Sequence, residues 1–479
     1  MGVGIKMGGG GGGAATYAWL KTPVVNGEKI DAEAKYITSD NPNAFPEYDV
    51  VGGYFYERVP LRVTNGELRR YRSAEGVLPA NTFVQLSTTY SVGTQASFSE
   101  TSYLMDSVEM NDHQAVVIDY NSGAMYATIY NLQDDNTIVR GNRCKVATVS
   151  TTDSLRVARP TRLSETEFVL TFQDKNSRAN IVVCTLAGND VTAGTAVVLG
   201  TVSKIDAGRS FVRTDGAIMT IFNQSSKLYY TISKYENGEI TVLQTETEVG
   251  NPLGSNSNTL VDLERLDDNT YAILTSRTAS TSTHYVHTVV MKITADGAVF
   301  GTSVQLGTFG DYDTGKLRRL SDTKYAVAAL ISTKVSVCVC TVDGDVITAS
   351  DAVTSSVSAF KYIALAENES GSLAVSYLQA TSSKYYCYLN IFKVAADGAL
   401  TLTDTQTPYG SVSMDRLYSE IILQPVGYKM LSAVDKGSTI ESVIIEHGSK
   451  VYRATGTIEG ITRTKVYENV TGEVWVLGG

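Results

Sequence analysis

Histidine, cysteine and paired acids are the residues that could carry chemistry in this chain, and their spacing argues against most of it. The four histidines are His113, His284, His287 and His447. His284 and His287 are three residues apart, which on a strand sends them to opposite faces, the wrong arrangement for joint metal ligation. His113 and His447 stand beside Asp112 and Gly448 in turn-like sequence and read as solvated. No nucleophile elbow, P-loop, zincin or calcium-loop pattern occurs. Four Asp-Gly pairs begin at Asp215, Asp296, Asp343 and Asp397. They could suggest calcium or acid–base work. The last three, however, recur after the second strand of a repeat, where Gly tolerates the positive φ of a tight hairpin. Turn chemistry is their expected role. No catalytic residue, metal ligand or cofactor is assigned.

The five cysteines are Cys144, Cys184, Cys338, Cys340 and Cys387. Their odd count and spacing do not form a disulfide framework, and four lie in predicted strands, with Cys338 and Cys340 on one face. Buried, reduced thiols are expected.

Binding chemistry is better represented. Tyr recurs with Ser, Thr and Asn in TASTSTHY (278–285), FGDYDTG (309–315), TSSKYY (381–386) and NQSSKLYY (223–230). Tyr gives rigid amphipathic contact area, and small polar residues give adaptable hydrogen bonds. Tyr230, Tyr285, Tyr312, Tyr385 and Tyr386 are therefore the candidate receptor-contact residues, taken as loop positions.

The elements that must carry these loops repeat. Strand-like runs rich in Val, Ile, Tyr and Thr begin at Gln114, Glu167, Gly216, Tyr271, Tyr325, Ser372 and Tyr428, each after an acidic, amide-bearing or glycine-containing turn. Each run is answered by a second. The period is about 52 residues, which fits radial repetition of small sheets. The expected fold is all-β: a seven-bladed β-propeller over residues 104–465. Two tandem sandwiches are the other architecture considered. A length of 479 residues would otherwise suggest several cores, but blades bury their faces against each other. Helical periodicity is nearly absent, and no apolar run reaches the roughly 18 residues of a membrane helix. The net charge of −10 argues against a nucleic-acid partner.

The flanks differ. Residues 1–16 (MGVGIKMGGGGGGAAT) read as a glycine-rich flexible arm and not as a secretory signal. Residues 17–63 are aromatic-rich and hold four of nine prolines, as in a small docking module with Trp19, Tyr36, Phe45, Tyr54 and Tyr56 as its contact residues. Residues 64–103 read as a linker with a basic cluster (Arg69, Arg70, Arg72) and a possible ring-closing strand from Thr82 to Val92. Residues 466–479 read as a C-terminal hairpin or closing strand.

The string YITSDNPNAFPEYDVVGGYFYERV resembles the N-terminal portion of tail-associated structural and receptor-binding proteins of phages and prophages of Gram-positive bacteria. The match lies at Ser39, Asp40, Pro42, Ala44, Pro46, Gly53, Tyr54, Tyr56 and Glu57 and covers about a tenth of the chain. The resemblance implies a virion or tail-like particle assembled in the bacterial cytoplasm. The N-terminal module would dock to other virion subunits, and the propeller would bind a host cell-surface glycan or protein. It also implies a homo-oligomer, with a trimer as the expected symmetry, and no membrane insertion. A purely architectural decoration protein is one alternative. A polysaccharide hydrolase is the other, since such an enzyme needs only two suitably spaced carboxylates. Against it, both tryptophans lie outside the repeats, and the Ser-x-Asp-x-Gly-x-Thr-Trp turns usual in propeller sialidases are missing.

Overall fold

A computed structural model describes residues 17–476 apart from short stretches, the longest being 40–47, 60–66, 150–158 and 413–419. The described residues contain strands and no helix, and so no helix long and apolar enough to cross a membrane. The chain divides into two compact units. One comprises residues 90–447; the other joins residues 1–89 to 448–479.

Residues 90–447 form the expected seven-bladed propeller. The strand-like runs read from sequence are the second strands of the blades: Gln114–Asn121, Glu167–Gln173, Ala217–Gln224, Thr270–Ser280, Lys324–Ile331, Leu373–Ala380 and Lys429–Asp435. They stand out because nearly every side chain is buried, as in Glu167–Gln173, where only Glu167 is partly exposed. Each is preceded by an inner strand, charged in blades 1 to 6: Tyr103–Asn111, Arg159–Arg162, Ala207–Val212, Asn258–Arg265, Gly315–Ser321, Lys361–Glu367 and Ile422–Val426. The inner strands touch in sequence order and the last meets the first, so the ring is closed.

The core is divided among the blade interfaces. Seven apolar clusters each join two neighbouring blades. Met105, Val116 and Phe168 belong to the one between blades 1 and 2, and Leu104, Val117, Leu431 and Ile444 to the one between blades 7 and 1. Burying one such side chain stabilises by about 1.5–3 kcal/mol, so each interface contributes on its own.

Blade 7 is composite. Its inner three strands are Ile422–Val426, Lys429–Asp435 and Thr439–Arg453, and its outer strand is Ala96–Ser99, from the other end of the chain. Ser99 pairs with Thr439 and Ala96 with Ser442. The stretch expected from sequence, as the strand Phe83–Val92, also pairs with Thr439–Arg453, and Ala96–Ser99 just after it supplies the outer strand that removes a free sheet edge. Buried Glu441 holds it, accepting hydrogen bonds from Gln95 (2.6 Å) and Ser97 (3.1 Å). Phe98 packs edge-on against Tyr130 of blade 1, and Glu100 forms ion pairs with Arg140 and Arg143 of that blade.

In the other unit, strand Tyr17–Val25 is the centre of a five-stranded sheet. Within it Trp19 pairs with Ile37 and Arg58, Leu20 with Tyr36, Lys21 with Tyr56 and Pro23 with Tyr54. Phe45 and the glycine-rich arm lie outside the described residues. The stretch read as a linker holds a strand, Glu67–Ser73, which carries the basic cluster. The C-terminal strand Gly472–Val476 pairs with it, setting Arg70 opposite Glu473, and so is not a propeller strand.

Candidate functional site

The blade order fixes two faces. Each blade runs inner, second, third, outer. Turns from second to third strand therefore share one face, here the upper, with the crossings between blades. The remaining turns share the lower face. The closing segment runs antiparallel to the strand Thr439–Arg453, and Gly93 N donates to Ile444 O at 2.8 Å. Incoming and outgoing chain thus lie side by side and open on the lower face.

The candidate tyrosines divide. Tyr285 lies near the start of the third strand of blade 4, and Tyr385 and Tyr386 begin that of blade 6; all three are half-buried at the upper-face ends of those strands. Tyr230 is not a loop residue. It lies in the third strand of blade 3, 5 % exposed, packed in the apolar cluster shared with blade 4, and its hydroxyl accepts from Gln244 Nε2 at 3.0 Å. It looked loop-like because the polar run before it hides where the strand begins. Tyr312 lies outside the described residues.

Sequence reading missed the charged lining of the central channel. Asp106, Arg159, Arg209, Asp262 and Lys316 occupy five successive inner strands. Arg159 reaches Asp106 at 3.1 Å and Asp262 of blade 4 at 3.9 Å. Arg209 pairs with Glu264 at 3.0 Å, and Lys316 with Glu420 at 3.5 Å. Asp262 also accepts from the Leu317 backbone N at 2.7 Å, tying blade 4 to blade 5. Burial alone would lower the pKa of Arg159. Asp106, Asp262 and Glu420 outweigh it and hold that guanidinium more firmly charged than usual. Arg209 is raised likewise, against burial, chiefly by Glu264 and Asp262. The cavity at this level is about 80 Å³. That suits a few waters or one small ion, whereas organic ligands take roughly 300 Å³ or more. A charged residue ahead of the second strand in blades 1 to 5 was the signal that could have revealed it.

The other candidates follow turn and core logic. Gly344 and Gly398 have φ of +59° and +90°, and Asp397 Oδ1 accepts from Ala399 N at 2.9 Å, so these pairs close hairpins. Asp215 Oδ1 likewise accepts from Ala217 N, at 3.0 Å. All five cysteines are free; four are buried and Cys144 is half-buried. His113 is exposed in a turn beside Asp112, but His447 lies within the strand Thr439–Arg453, not in a turn. Among the described residues no three His, Cys, Asp or Glu side chains gather as a metal site.

No protein-family profile matches the chain, and neither does any curated protein. Solved structures match at low identity. A candidate 6-phosphogluconolactonase from Bacteroides fragilis is 13% identical with a TM-score of 0.46, covering 78% of this chain and 98% of its own. The WD40 domain of Toxoplasma gondii coronin is 12% identical with a TM-score of 0.46, covering 80% and 91%. The polysaccharide lyase Uly1 is 10% identical with a TM-score of 0.41, covering 74% and 99%. At this similarity these matches carry no activity over to this chain.

Proposed function

We propose that this chain is a structural component of a phage tail or tail-like particle whose propeller binds a host cell-surface glycan or protein through its upper face. The observation that carries the reading is polarity. Both chain connections of the propeller open on the lower face, and Tyr285, Tyr385 and Tyr386 stand at strand ends of the upper one. Those strand ends lie on the face opposite the chain connections, and Tyr with small polar residues suits recognition. The resemblance of residues 36–59 to tail-associated proteins supplies the setting: a virion part assembled in the bacterial cytoplasm, docked through its N-terminal module, and multimeric. No reaction is assigned. The channel network is better explained as structure, since every acid in it already serves a cation or a backbone amide.

The test is attachment of the full-length protein to intact cells and purified wall glycans of candidate hosts, with released sugars assayed in the same samples. Saturable binding without fragments is expected. Fragment release would establish the hydrolase, and absence of binding together with incorporation into particles would establish the decoration protein.

A further inference from the structure

Between blades 1 and 2 the upper face opens into a groove of about 500 Å³, within the range of organic ligand sites. One wall is the end of the outer strand of blade 1, where Lys145 and Thr148 are exposed. The other is the turn of blade 2 between Gln173 and Ala179, with Asn180 at its base. A β-bridge between Val149 and Asp174 joins the two blades, so the walls are fixed relative to each other.

The groove's charge is uneven. Its one acid, Asp174, is fully used: Oδ2 accepts from Arg178 Nε (3.0 Å) and Nη2 (2.7 Å), and Oδ1 accepts from the backbone N of Asn176 and of Arg178 (both 2.9 Å). Burial alone would raise this carboxyl's pKa; those bonds outweigh it and keep the group ionised. The same contacts fix the Arg178 guanidinium and leave its Nη1 without a hydrogen bond among the described residues. Lys145 has no hydrogen bond or ion pair there either, and neither does Lys175 at the tip of the turn. Asp174 balances Arg178, so a chain of net charge −10 presents at this groove a lysine, Lys145, with no acid left to neutralise it.

We propose that this groove is a subsite for an anionic sugar or polyol unit of a cell-surface polymer, its negative group set between Lys145 and the free edge of Arg178 and its hydroxyls along Thr148 and Asn180. This rests on the reading of the upper face as a binding face and names the ligand class. A fixed guanidinium fork suits carboxylate and phosphate alike. The negative group could therefore be the carboxylate of a uronic acid or the phosphate of a polyol-phosphate polymer.

The experiment titrates the full-length protein calorimetrically with three probes of equal length: an oligogalacturonate, a glycerol-phosphate oligomer and a neutral maltooligosaccharide. Saturable binding of one charged probe is expected, and which one binds identifies the source of the charge. The neutral probe should bind at least about tenfold more weakly, the scale of one charge-assisted hydrogen bond. Lys145→Ala should weaken the charged probe by about tenfold, and Ala196→Trp, at the exposed rim, should block it. Both sites are exposed, and unchanged melting would show that the fold is kept. No binding of either charged probe, or binding unaffected by Ala196→Trp, overturns the proposal. Cell attachment that persists in that case leaves the binding-face reading standing. Groove binding without cell attachment would instead sink that reading and keep the subsite.

Discussion

His287 lies in the third strand of blade 4, opposite Thr275 and Gln305, and neither ring nitrogen has a hydrogen-bond partner among the described residues. Burial, assisted by the charge of Arg277, pushes its pKa below the usual histidine value. The unfolded chain therefore takes up this proton first as pH falls. Stability contributed by the neutral ring is complete above about pH 6.5 and declines as pH drops towards the lower folded value. Urea unfolding between pH 7.5 and 5 should show the wild type losing stability relative to His287→Leu. A pH-independent difference would mean that the ring titrates normally in the fold. Residue by residue, the sequence was legible where function and pattern coincide. The opposite-face reading of His284 and His287 and the hairpin role of Gly344 and Gly398 follow from local geometry alone. Arg159 was not legible, because its partners Asp106 and Asp262 come from other blades and only the closed ring brings them together.

At the scale of elements, the second strands announced themselves through continuous burial, whereas the inner strands did not. Inner strands carry charges that pair across the channel, and a strand such as KLRRLS has no alternation that survives without its partners. The closing strand was equally faint. Ala96–Ser99 is short, and its burial alternates only between intermediate and exposed. What holds it is specific: Glu441 is buried and binds Gln95 and Ser97, with Lys436 Nζ at 3.4 Å. Burial would raise the Glu441 pKa, but these partners outweigh it and keep the carboxyl below its ordinary range. Glu441→Ala should cost about 2–3 kcal/mol, because it strands buried donors as well as removing an acceptor. In the wild type the clamp is complete above the ordinary glutamate pKa of about 4.3 and is lost as pH falls through the lower folded value. Denaturant titration at pH 7 and pH 3.5 checks both statements: the difference between wild type and variant should shrink at the lower pH.

For the propeller as a whole, the boundaries matter more than any one contact. Residues 90–447 contain all seven interface clusters and the closing strand, whereas a fragment beginning at residue 104 lacks Ala96–Ser99. The first fragment should melt cooperatively as a monomer. The second should melt at lower temperature and self-associate through the exposed edge of the strand Thr439–Arg453, which light scattering would detect. Equal melting of the two would show that the interface clusters close the ring unaided. The period of about 52 residues was enough to count the blades. It could not show that the outer strand of the last blade precedes the first, because that pairing spans almost the whole propeller.

That closure has a mechanical consequence. The segment arriving at Gly93 and the strand leaving past Ile444 run side by side in one blade. Tension applied through both tethers would pull two adjacent strands the same way, along their length and against their neighbours. The hydrogen bonds joining Thr439–Arg453 to Lys429–Asp435 would then be loaded together in shear instead of being opened one at a time like a zipper. A propeller gripped in this manner resists extraction, and a drag force on its far side is borne first by the blade that both ends of the chain build.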